Sequence, residues 1–132
     1  MNSYKEYLKQ KKALPIEKMQ AIHEEILEQI GSDEEAVELY QELLTVATRY
    51  ASIRAEWLFL SREEKMEKDP GRTLCHDSVI THLNMLERYL KSKGKTAGWR
   101  DELGYEKDDS YNRKAIGDFA CYLVFINSVS AR

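Results

Sequence analysis

The residues best able to do chemistry crowd into one stretch, RTLCHDSVITHLNMLERYL, residues 72–90. It holds two of the three histidines, His76 and His82, one of the two cysteines, Cys75, and the adjacent pair His76-Asp77. A histidine beside an acid is the raw material of a proton shuttle or a metal site. That makes His76 and Asp77 the catalytic candidates.

The stretch reads as an amphipathic helix, with Thr73 as its N-cap and Gly94 as its stop. Cys75, Val79, Leu83, Leu86 and Leu90 set its apolar centre. His76 and His82 fall about 60° to either side of it, six positions apart, roughly 120° round and about 9 Å along the axis. Two ligands from one helix sit three or four positions apart, so this pair does not chelate one ion alone. Asp77 points away from the core and suits the positive end of the helix dipole. Cys75 and His76 diverge by about 100° and do not form a dyad by adjacency. No nucleophile elbow or glycine-rich phosphate loop occurs.

The elements around this stretch are helical throughout, and no segment shows the strict alternation of a strand. A charged helix is expected over about 3–13, with Tyr4, Tyr7, Leu8 and Leu14 as its apolar contacts. Pro15 suits the first turn of the next helix, whose stripe is Ile16, Met19, Ile22, Ile26 and Ile30 before Gly31. His23 falls within that stripe, as a core histidine. Ser32 and Glu35 fit a capping box for a third helix, predicted to run unbroken to about residue 67, near 50 Å long. Its two apolar rows make an arc of roughly 220°, so partners surround it. Asp69-Pro70-Gly71 then reads as a turn. After Gly94 comes a connection of about 17 residues, long for a compact domain, containing one short helix pinned by Trp99 and Leu103. The last helix, about 111–130, is apolar nearly all round. Its main face is Ile116, Phe119, Leu123 and Ile126. The other face is small, with Gly117, Cys121, Val124 and Ser128 as candidates for a subunit interface.

Arg54 lies near the middle of the third helix's apolar arc. A guanidinium there must reach an edge or a carboxylate, because a lone buried charge is too costly. Asp118, the only acid on the apolar part of the last helix, is the expected partner. Arg54, Asp118 and His76 would then form one polar cluster between three helices, either fixing register or flooring a small pocket.

The His76-Asp77 dipeptide resembles the signature of the HD phosphohydrolases, all-helical enzymes in which an earlier histidine, the His-Asp pair and a later aspartate gather a water-activating metal. The resemblance covers four residues and implies His23, His76, Asp77 and Asp118 as the metal candidates. Here the pair opens a predicted helix and continues into SVITHL, where the family pattern has a small residue and glycine.

The bulk numbers bound the rest. The 132 residues are 42% hydrophobic and 33% charged, the mark of a globular chain with a charge-rich surface. A net charge of −3 disfavours a phosphate backbone as a partner. The weak nucleic-acid candidates are Lys91, Lys93, Lys95 and Arg100. No segment has the pattern of a signal peptide or a membrane span, so a cytoplasmic location with reduced cysteines is expected. These observations predict an all-α single domain over 1–132, a bundle of about five helices with a long central third helix and an apolar C-terminal one. It resembles the small acidic helical proteins common among bacteria. The expected role is a non-enzymatic interaction or regulatory module, self-associating as a homodimer, with no cofactor and no membrane partner.

Overall fold

The computed structural model describes residues 14–95, 98–103 and 110–130. It is all-α, and the described residues contain no strand. The helices are α1 (Ile16–Ile30), α2 (Glu34–Trp57), α3 (Arg62–Ser92), α4 (Gly98–Leu103) and α5 (Ser110–Ser130). The helix expected over 3–13 lies outside the described residues.

α2 and α3 form an antiparallel hairpin, and α5 lies along α2 in the opposite direction. The core is where these three meet: Leu43, Ala47 and Tyr50 of α2, Val79, Leu83 and Leu86 of α3, and Ala115, Phe119 and Leu123 of α5 are all buried. α1 closes one flank with Ile22, Ile26 and Ile30, and Gly31 at φ 52° ends it in a conformation that favours glycine. Ile16, expected on the same stripe, is instead 66% exposed at the helix start. α4 is one and a half turns long, yet Trp99 and Leu103 are fully buried, and the Trp99 indole Nε1 donates to Gln29 Oε1 at 3.0 Å. The expected short helix in the connection is therefore present, pinned by the two residues that predicted it.

Two boundaries differ from the sequence expectation. The start of α2 is capped by Asp33, not Ser32: Asp33 Oδ1 accepts from the backbone N–H of Glu35 and of Ala36. Its carboxylate also accepts from the Tyr89 hydroxyl at 2.8 Å, tying the start of α2 to the end of α3. A hydroxyl at position 32 could not make both links. The larger difference is the break after Trp57. Ser61 caps a new helix with a full capping box: its Oγ accepts from Glu64 N at 3.1 Å, and Glu64 Oε1 accepts from Ser61 N at 2.8 Å. α3 then runs on through Asp69-Pro70-Gly71, with Pro70 exposed inside it. The DPG turn is absent, and Thr73 lies mid-helix rather than at a cap.

Helix α5 meets α2 at Gly117. A β-carbon there would stand 2.6 Å from Tyr50 Oη and 3.2 Å from Arg54 Nη1. The small-residue face expected to be free for a second subunit is thus occupied at Gly117 by this chain's own α2. Cys121 is half-buried next to Arg54, Val124 is partly buried against the core, and only Ser128 is exposed. Gly117→Ala gains helix propensity of about 1 kcal/mol but overpacks a buried ring. We expect a net destabilisation of about 1–2 kcal/mol, read as a lower urea midpoint at unchanged slope.

Candidate functional site

The site forms where α2, α3 and α5 converge. Arg54 and Tyr50 come from one face of α2, four residues apart. His76 and Arg72 repeat that spacing on α3, and Lys114 and Asp118 repeat it on α5. Arg54 Nη2 donates to Asp118 Oδ1 at 2.7 Å, and Lys114 Nζ donates to the same oxygen at 3.0 Å. The Asp118 side chain is 15% exposed and so largely withdrawn from solvent screening. Arg54 Nη1 also points at Cys121 Sγ, 3.8 Å away. Burial pushes the Cys121 thiol up from its ordinary pKa, which makes it a poor nucleophile.

His76 makes no hydrogen bond to the Arg54–Asp118 pair. It is 6% exposed, stands edge-on to the Tyr50 ring at 5.3 Å between centroids, and its Nε2 donates to the Arg113 carbonyl at 2.7 Å. That bond fixes the tautomer with the proton on Nε2. Nδ1 is buried without a partner, and a second proton there would have no acceptor. Burial first, and the nearby Arg113 and Arg72 charges after it, lower the His76 pKa and outweigh the carbonyl and Asp77. The ring is a neutral strut.

Asp77 points outward, as the helix wheel requires, and accepts from Arg113 Nη2 at 3.2 Å. It lies sixteen residues past the Ser61 cap, so an interhelical ion pair replaces the expected dipole interaction. His82 turns its Nδ1 to the Ser78 carbonyl on its own helix. His23 lies in a second polar group: Asn127 Nδ2 donates to Tyr40 Oη at 3.1 Å, and the Tyr40 hydroxyl is 2.8 Å from His23 Nε2. Burial lowers the His23 pKa and raises that of Tyr40. The four HD-type metal candidates are thus engaged elsewhere: His23 with Tyr40, Asp118 with Arg54 and Lys114, and His76 and Asp77 with the carbonyl and the guanidinium of Arg113. No group of three or more His, Cys, Asp or Glu among the described residues could hold a metal ion.

The basic stretch is divided, with Arg100 buried and Lys91 and Lys93 exposed. Arg100 is 2% exposed, and its Nε donates to Asn84 Oδ1 at 2.8 Å. Lys91 pairs with the buried Glu87, Lys93 lies over the Tyr89 ring, and Lys95 donates to the Gln29 carbonyl.

What does form is an open cleft of about 350 Å³ beside the Arg54–Asp118 pair. Tyr50, Arg54 and His76 line it from below, with Arg72 and Thr73 on the α3 side and Arg113 and Lys114 on the α5 side. Sequence reasoning reached Arg54 and His76 but not Arg72, Arg113 or Lys114. The Lys114–Asp118 spacing of four was a legible signal for the last of these. The chain matches no protein-family model, no curated protein and no solved structure.

With the His76 pKa lowered, the unfolded chain takes up a proton below about pH 6.5 that the folded chain refuses. Stability is therefore full above that pH and declines as the solution is acidified from 7 towards 5. Urea midpoints should fall across that window in the wild type and fall less in His76→Gln. Equal slopes in the two proteins would show that His76 is not the group responsible.

Proposed function

We propose that this chain is a non-enzymatic interaction or regulatory module that pairs with a second copy of itself through the free end of the α2–α3 hairpin. The observation that carries the reading is a gap in the core: no side chain between Tyr50 and His76 is buried. The last turns of α2 and the first half of α3 pack on each other, through Arg72 over the Trp57 ring at 4.7 Å, but have no core of their own. Their apolar side chains face solvent, with Leu58 83%, Phe59 87%, Met66 73% and Leu74 70% exposed. Single exposed apolar residues are ordinary, but this group is concentrated on one short two-helix arm.

The occupant follows from charge. Residues 51–75 carry five cations (Arg54, Arg62, Lys65, Lys68, Arg72) and five acids (Glu56, Glu63, Glu64, Glu67, Asp69), a sum of zero in a chain of net charge −3. Two copies can bring these arms together without the repulsion their remaining surfaces would exert. A two-fold axis would place each arm against its equivalent and make a four-helix junction. This moves the self-association surface from α5, where Gly117 is covered, to the hairpin. Phe125 and Val129, exposed near the end of α5, offer the competing surface.

Sedimentation equilibrium at micromolar concentration should give a dimer. Phe59→Glu and Met66→Lys should each return it to monomer with helicity intact, and Phe125→Glu should not. A wild-type monomer at about 100 µM, a weak association even by the standards of transient pairs, would sink the proposal. So would a dimer that only Phe125→Glu disrupts.

A further inference from the structure

We infer that the cleft between α2, α3 and α5 is a binding site for the phosphate group of a small phosphomonoester. Among the described residues that line it, four, Arg54, Arg72, Arg113 and Lys114, are cations and none is an acid. Among the described residues, Asp118, Asp77 and Asp69 pair with these cations, and all three lie outside the lining.

The two kinds of pair differ in what they leave available. Asp118 is 15% exposed and is shared by Arg54 and Lys114, which fixes the floor of the site. Arg113 is held by Asp77, which is 53% exposed, and Arg72 by Asp69, which is 52% exposed, and by stacking over the Trp57 ring at 4.7 Å. Exposed pairs of that kind contribute only about 0–1 kcal/mol, so the Arg113 guanidinium can turn to an incoming anion at little cost, and Arg72 can offer its N–H groups by giving up the Asp69 pair while it stays over the Trp57 ring. Each offers a planar fork of donors, matched to an oxyanion with several acceptor oxygens. A second observation is independent of charge. Tyr50 lines the cleft, is 4% exposed, and its hydroxyl has no hydrogen-bond partner among the described residues. A phosphate oxygen would supply one. At about 350 Å³ the cleft lies at the small end of ligand pockets. It has room beyond a bare phosphate for a short organic group against the Tyr50 and His76 rings.

The test uses the full chain and inorganic phosphate, with calorimetry for affinity and backbone amide shifts for location. Saturable binding is expected, with shifts gathered at residues 50–54, 72–76 and 113–114. Glycerol 3-phosphate should bind more tightly than phosphate, and malonate, a dianion of other geometry, more weakly. Arg72→Gln and Arg113→Gln lie on the rim and should fold normally. Each should weaken phosphate binding at least about tenfold, the weight of one charge-assisted hydrogen bond. Arg88→Gln, on the exposed face of α3, should leave it unchanged. The wild-type shift map carries the test if either variant misfolds. No saturable binding up to about 10 mM, weaker than ordinary metabolite affinities, would overturn the inference. So would shifts lying elsewhere, or binding only to phosphatidate vesicles and not to the soluble phosphates.

Discussion

Close approach at Gly117 governs the centre of this molecule. Because position 117 lacks a β-carbon, α5 can lie against the Tyr50 hydroxyl and the Arg54 guanidinium. That contact places Asp118, the next residue, where Arg54 Nη2 reaches it at 2.7 Å. The charge that α2 carries into its apolar arc is thereby satisfied by the acid that α5 carries into its own. Removing either partner would strand the other, and burial of a lone charge is far more costly than burial of the pair. The pair thus sets the register of α5 on α2 more sharply than the apolar contacts around it, which tolerate sliding.

From that register the cleft follows. With Asp118 fixed, Lys114 lies one turn earlier on the same side of α5, and Arg113 beside it meets Asp77 across the gap to α3. The Arg113 carbonyl receives the His76 Nε2 proton, so the same short segment of α5 is bound to α3 through backbone and side chain together. His76 contributes by staying neutral and rigid, holding the wall between the core and the open cleft. The polar group at the other end, Asn127–Tyr40–His23, joins α5, α2 and α1 through similar means. α5 is thus fastened at both ends by polar contacts with apolar packing between them.

Much of this was legible in the residues. The stripe of α1, the stop at Gly31, the anchoring of α4 by Trp99 and Leu103, and the partnership of Arg54 with Asp118 each follow from a local rule. A buried arginine with one acid on the facing helix has few choices. The α2–α3 boundary was not legible in the same way, because two signals conflicted. The apolar rows of α2 continue past Trp57 to Leu60 and carried the prediction through the Ser61–Glu64 capping box. Asp69-Pro70-Gly71 then looked like the only turn in reach. Proline costs a helix its bond one turn back, but the surrounding arm is solvent-facing, so its ring meets no packed neighbour. Once the boundary moves, Arg72 and Thr73 become mid-helix residues on the cleft side. Arg113 stayed hidden because its orientation depends on how α5 is set down, which its own helix does not reveal.

The continuity of α3 conceals a division of another kind. From Cys75 onward the helix is held by the core, but from Arg62 to Leu74 it has only its own hydrogen bonds, a capping box and one facing strip of α2. An isolated helix of about thirteen residues is marginal in water, and a proline inside it makes it more so. One rod in geometry is therefore two segments in free energy. Amide protons before Pro70 would exchange through local opening, and those after His76 only when the whole bundle comes apart.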